Sequence, residues 1–284
     1  GWPSLVYLPT LSFLPRAARS EMGLSGKTED FANDLAVAHE IAHQWWGNSV
    51  GWLTYHDQWI SEGFASYAAA LHLARGKDGD RKFRDLMRSY KQALLTQTEK
   101  DETIESGGPV WLGQRLTNSL NPDGYANIVY KKSCWAIHML RVLMSDPKTG
   151  SDERFFAMLR DFLAAYRGQN PSTRDFIRHA EKHMTLEMDI ERNRRLDWFF
   201  SSWIFGTGIP AYRLDSTTRR LGPKKYVTQG AIEPSGVGQD FEMPVPVLLA
   251  YESGRKSELN WVAVGESGGK FKFTTTAKPA RITI

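Results

Sequence analysis

Between residues 80 and 97, Phe83, Leu86, Met87, Tyr90 and Leu94 recur three and four positions apart among charged residues. That spacing predicts a helix with one buried face. Similar patterns predict helices over residues 29–46, from about Trp59 to Arg75, and at about 125–145, 152–167, 173–184 and 190–205. Local chemistry marks several of their ends. Thr28 suits the cap of the first helix, Glu29 and Asp30 suit the positive end of its dipole, and Gly47 suits its stop. Gly76 closes the alanine-rich second helix, and Ser172 with Asp175 has the form of a capping pair. Ahead of the helices, residues 4–14 read as a strand through Val6 and Leu8, ending at Pro15.

Near Tyr212 the period changes. The runs VPVLLAY, NWVAV and KFKFTTT alternate along short segments separated by glycine and proline, the signature of strands and turns. The expected class is α+β: a mostly helical domain over residues 1–212, then a small β-sandwich-like domain over 213–284. One connection stands out. Residues 101–124 carry Gly107, Gly108, Pro109 and an Asn-Pro-Asp-Gly turn at 121–124, and loops of such length often line a functional site.

A chain of 284 residues fits one main domain with a smaller companion. The net charge of +4 is spread rather than blocked, which argues against a nucleic-acid partner or a membrane-surface role. No run of about 18 uncharged apolar residues offers a membrane span. The opening GWPSLVYLPTLSFLPRAARS has three prolines and no basic lead, so it reads as strand and turn rather than as a signal peptide. Without an initiating Met, the chain is expected to be a fragment excised from a longer protein. The single cysteine, Cys134, excludes an internal disulfide and a Cys-rich zinc site, and reads as a buried small hydrophobe.

Candidate chemistry centres on HEIAHQWWGN, residues 39–48. On a helix, residues four apart share a face, so His39 and His43 can reach one metal ion while Glu40 stands beside them. Alone, those five residues leave a metal site and a coincidental pair equally open. Glu62 changes the balance: it follows His43 after the 18 intervening residues 44–61 and lies near the start of the next helix. Two imidazoles and one carboxylate leave a fourth position for water, the arrangement of a catalytic rather than structural zinc. The pair His179 and His183 has the same spacing but no adjacent Glu and no distant partner, so it reads as a solvated helix face. His138 is expected in or beside the core, and Trp45 and Trp46 are expected to pack.

The stretches HEIAHQWWGN, WISEGFASY and IVYKKSCWAIHMLR resemble the aminopeptidase N-like zinc aminopeptidases, gluzincins whose catalytic domain is thermolysin-like. LDWFFSSWIFGTGIPAY and FEMPVPV are similar to the end of that domain and the small β-domain behind it. The resemblance implies a peptidase acting on peptide substrates with one zinc per chain, held by His39, His43 and Glu62. It implies Glu40 as the base that activates water and Tyr130 as the donor to the tetrahedral oxyanion, with Tyr125 as rival. It also implies an N-terminal domain of the same protein packing against this chain. There are departures. Ser133 stands where the family usually has Gly, and Ala69 where it commonly has an acidic residue, with Asp57, Asn48 and Gln44 as polar neighbours. The Gly-x-Met-Glu-Asn motif that supplies an amine-binding glutamate is not in the chain, and Glu21 in SEMG is no match for it. An endopeptidase, or a non-catalytic metal-binding scaffold, therefore stands beside the aminopeptidase reading.

Overall fold

Helices α2 (Lys27–Ala42), α3 (Trp59–Ala74), α4 (Gly79–Leu94) and α5 (Ser133–Met144) form the body of the molecule in a computed structural model. It describes residues 3–8, 10–22, 27–98, 101–147, 149–238, 240–252 and 255–284. A short α1 (Arg16–Glu21) precedes them, and α6 (Glu153–Ala165), α7 (Thr173–Glu181) and α8 (Asp197–Trp203) follow. Among the described residues of 4–14 the expected strand is not formed. Thr10–Phe13 is a 3-10 turn instead, between Pro9, which has no N–H to give a ladder, and Pro15.

Helix α3 is the centre of the packing. Trp59, Ile60, Phe64, Ala65, Tyr67, Ala69, Ala70 and Leu73 are all buried along it, as a helix apolar around its circumference requires. Helices α2, α4 and α5 lie against it. Its approach to α5 depends on two small residues: a Cβ on Gly63 would come within 2.5 Å of the Ser133 Cβ. Ser133, the departure from the family's glycine, is fully buried at that crossing.

The helix ends differ from the expected ones in instructive ways. Helix α2 is described from Lys27, so Thr28 lies within it rather than at its cap, and it stops at Ala42, ahead of Gly47. The following turns carry Gly47 at φ +117, where a Cβ would stand 2.7 Å from Ser61 Oγ. Glycine is therefore required there by space as well as by backbone. Ser172 and Asp175 form the expected capping box at α7, with Ser172 N donating to Asp175 Oδ2 at 2.9 Å. The final expected helix, 190–205, contracts to α8.

Strands β1 (Ala211–Gly222), β2 (Lys225–Ser235) and β5 (Gly269–Thr275) form one antiparallel sheet in the order β1-β2-β5. Strands β3 (Glu242–Ala250), β4 (Glu258–Gly265) and β6 (Arg281–Thr283) form a second, in the order β4-β3-β6. Inward side chains of both sheets, Val245, Val247 and Leu249 with Ile232, Val262, Val264 and Phe271, share a core. Strand β6 pairs only with Leu248–Ala250, so Pro244 and Pro246 fall where a missing donor costs least. The fold is α+β. Its two parts share a boundary layer: Phe241 and Met243 belong to the helical core, and Tyr212 packs against both cores. Among the described residues no helix is long and apolar enough to cross a membrane.

Candidate metal centre

His39 lies in the last turn of α2. His43 lies one residue beyond its end, but His43 N still donates to His39 O at 3.2 Å, so the helical spacing is kept. Glu62 sits in the first turn of α3, where the positive end of the helix dipole favours a carboxylate. The connecting turns reverse the chain and bring all three together. His39 Nε2 and His43 Nε2 are 3.1 Å apart, and Glu62 Oε2 is 3.3 and 3.4 Å from them.

Those edges test whether a metal fits. Tetrahedral zinc with ligands at about 2.0–2.1 Å sets neighbouring ligand atoms roughly 3.3 Å apart. The three donor atoms form such a face. Glu62 Oε2 is buried and has no hydrogen-bond partner of its own, an orphaned acceptor aimed at the same point. Two nitrogens and one hard oxygen are the donor set of zinc peptidases rather than of calcium or magnesium sites. Among the described residues this is the one cluster of three such side chains.

The imidazoles are oriented from behind. His43 Nδ1 lies 2.8 Å from the Trp46 carbonyl oxygen and 3.2 Å from Ser61 Oγ. Ser66 Oγ lies 3.3 Å from His39 Nδ1. Burial works to lower the His43 pKa, but Glu62, the Trp46 carbonyl and the Glu40 charge outweigh it and raise the value. Burial likewise works to raise Glu62, yet the two adjoining histidines hold its carboxyl down at about 2.

Tyr130 arrives from another element. Residues Ala126–Lys132 form a π-helical segment running into α5, not the plain α-helix expected over 125–145. In an α-helix, residues five apart point about 140° from each other. The i→i+5 turn instead puts Tyr125 and Tyr130 side by side, ring centroids 5.6 Å apart. Tyr130 stacks on His39 at 5.7 Å, and its phenol stands near the Glu62 carboxylate and Tyr125. Burial first, then the Glu62 charge, push its phenol well above the ordinary tyrosine range. The same two causes push Tyr125 up to about 12.

His39, Glu40, His43, Glu62 and Tyr130 all line one open cleft of ≈ 520 Å³, with Lys131 and Tyr90 on its far wall. Tyr125 contacts Tyr130 but is not among the residues lining the cleft. Ala69, where the family commonly has an acid, forms part of the wall. None of the three polar neighbours replaces that acid at an imidazole nitrogen. Asp57 is buried and accepts from Thr54 and Thr173. Asn48 donates to the His43 carbonyl, and Gln44 accepts from Ser4 N.

Sequence reasoning missed Ser61, Ser66 and the Trp46 carbonyl. Ser66 was findable, being one helical turn beyond Glu62 on the same face; a backbone carbonyl leaves no residue signal. It also missed a buried ion pair. Lys132 Nζ donates to Glu105 Oε1 at 2.6 Å and to the Gly206 carbonyl at 2.8 Å, and Gly208 N donates back to Glu105. This clamp fixes the end of the π-helical segment two residues past Tyr130. The 101–124 loop thus contributes Glu105 as an anchor, and none of its residues lines the metal cleft. Trp46 packs on Phe64 with centroids 4.3 Å apart, whereas Trp45 is exposed rather than packed. His179 is not on a solvated face: it is buried against Phe162, and His183 lies 3.3 Å from Asp161.

Residues 21–203 match the model of the Peptidase family M1 domain. Aminopeptidase N of Mus musculus is 25% identical over 251 residues, covering 85% of this chain and 24% of its own length. Aminopeptidase O of Homo sapiens is 26% identical over 195 residues, 61% of this chain and 22% of its own. The chain therefore spans about a quarter of the length of these relatives. The crystal structure of Legionella pneumophila aminopeptidase A in complex with aspartic acid has the same fold. Its TM-score is 0.55 at 19% identity, over 90% of this chain and 26% of that one.

Proposed function

We propose, because this chain belongs to peptidase family M1, that it carries the catalytic centre of a zinc aminopeptidase that releases N-terminal residues from peptides. The catalytic unit would be residues 1–212, with 213–284 as its small β-domain. The observation that carries the reading is the convergence of His39, His43 and Glu62 at tetrahedral-face distances, in the cleft that Glu40 and Tyr130 also line. His39, His43 and Glu62 would hold the zinc. Zinc bound there would acidify a water and polarise the scissile carbonyl.

The protein's own groups do the rest. Glu40 adjoins His39 in the chain and shares the cleft, so it can take the proton of the attacking water and hand it to the leaving amine. Tyr130 carries its phenolic proton at neutral pH, as an ordinary tyrosine does. It can therefore donate a hydrogen bond to the substrate oxygen as negative charge builds there. His43, with Nδ1–H committed to the Trp46 carbonyl, presents its Nε2 lone pair to the centre. The named relatives are aminopeptidases, which favours cleavage at a free N-terminus over endopeptidase action or a silent scaffold.

Glu40→Gln in the zinc-loaded protein tests the reading. Zinc content should stay at the parent level while hydrolysis of aminoacyl anilides falls by about 10²–10⁴-fold. Hydrolysis at the parent rate overturns the base assignment. N-acetylated peptides cut as fast as free-amine ones would overturn the aminopeptidase assignment.

A further inference from the structure

Lys131 is the one Lys or Arg among the residues that line the metal cleft. It follows Tyr130 on the π-helical segment, and Tyr90 of α4 stands beside it, with Lys131 Nζ 5.9 Å from the Tyr90 ring centroid.

The surroundings of this ammonium differ from those of a solvated surface lysine. The side chain is half-buried. Among the described residues Asp123 is the one acid whose charge acts on it, and the two make no hydrogen bond. Neither acid of the cleft lining, Glu40 or Glu62, is among the charges that reach it. Burial outweighs Asp123 and lowers the Lys131 pKa, so the cation is undercompensated where it stands. Its position is nevertheless fixed. Nζ donates to Asn127 Oδ1 at 2.5 Å, and Asn127 Nδ2 in turn donates to the Asp123 carbonyl at 2.9 Å. A neutral amide takes one of the three ammonium donors and leaves two. The Tyr90 hydroxyl makes no hydrogen bond among the described residues and is not shut off from solvent. A propped ammonium and a free phenol therefore stand together in the cleft that holds the metal triad. In such a partly buried place, a hydrogen bond to an anion is worth more than on an open surface.

We propose that Lys131, with the Tyr90 hydroxyl, binds a carboxylate of the peptide substrate, so that this centre prefers peptides with an acidic group beside the bond that is cut. The inference rests on the metal centre being a peptidase. The carboxylate is either the side chain of a residue flanking that bond or the C-terminus of a dipeptide, and its chemistry is the same in each place.

The test is steady-state kinetics of the zinc-loaded protein on three acid–neutral pairs: Glu-Ala-amide with Gln-Ala-amide, Ala-Glu-amide with Ala-Gln-amide, and Ala-Ala with Ala-Ala-amide. In at least one pair kcat/KM should favour the acid by about tenfold or more, mainly through KM. The pair that shows the preference locates the group. Lys131→Met should bring that ratio to about one, Lys131→Glu should invert it, and Lys131→Arg should keep most of it. Tyr90→Phe should lower it by about threefold. No acid preference in any pair, or a preference that survives Lys131→Met, overturns the proposal. If the parent cleaves none of the peptides, the peptidase reading is what fails, and calorimetric titration of the same pairs onto the zinc-loaded parent then decides. An acid bound about tenfold tighter than its neutral match by the parent, but not by Lys131→Met, sustains the proposal, and equal binding overturns it.

Discussion

Nδ1 of His43 lies 2.8 Å from the carbonyl oxygen of Trp46. A carbonyl only accepts, so the ring keeps its proton on Nδ1 and turns its Nε2 lone pair toward Glu62 and His39. Among the described residues His39 has only the Ser66 hydroxyl, 3.3 Å away, in the corresponding place. Ser66→Ala is therefore expected to weaken zinc binding by about tenfold, the low end for loss of a group orienting a ligand. Competition against a chromophoric chelator measures it, and unchanged affinity would mean that stacking on Tyr130 alone fixes the ring.

Tyr130 and Tyr125 differ in position. Only Tyr130 lines the cleft. Tyr130→Phe should lower kcat by about 10²–10³-fold, typical of removing one oxyanion donor, with KM little changed. Tyr125→Phe should cost far less. Equal losses in steady-state kinetics would return the oxyanion role to the pair.

The Lys132–Glu105 pair is 1% and 2% exposed. Removing one partner leaves a buried charge uncompensated, so Lys132→Met should destabilise the protein by about 3–5 kcal/mol in urea unfolding. Adding Glu105→Gln should restore much of that, since the amide oxygen can still accept from Gly208 N. A double variant as unstable as the single would show that packing around the lysine stem, not charge, is what matters.

His138 makes stability depend on pH. Its folded value, about 4, lies below the unfolded 6.5 because of burial and the Arg141 charge. Between those values the unfolded chain binds a proton that the folded one does not. Stability therefore falls as pH drops from 6.5 toward 4 and stops falling, from this cause, below 4. The slope is at most about 1.4 kcal/mol per pH unit. The difference between the parent and His138→Gln across that window isolates the effect, and parallel curves would refute it.

How much of this was legible beforehand depended on what carried the signal. Glu40, His39, His43 and Glu62 were readable because helical periodicity and an 18-residue gap are properties of sequence. Strands β3, β4 and β5 were readable from VPVLLAY, NWVAV and KFKFTTT for the same reason. The strand over 4–14 misled because an apolar pattern in so short a stretch does not by itself supply a partner strand. The π-helical segment left no periodic trace: seven residues are too few to separate two helical periods. Its end is held by a tertiary contact, Lys132 with Glu105, 27 residues earlier. Likewise His179 was expected on a solvated face for want of an adjacent Glu and a distant partner, while the aromatic ring that buries it, Phe162, comes from a different helix.

Gly206 and Gly208 stand between the last helix and the first strand, yet their backbone atoms complete the surroundings of Lys132 and Glu105. The chain is thus not divisible at that junction into a working helical half and a dispensable sheet half. A cut at residue 205 would strip a buried ammonium of one acceptor and a buried carboxylate of its backbone donor, beside the segment that holds Tyr130. The junction between helices and strands is part of the foundation on which the candidate metal centre rests.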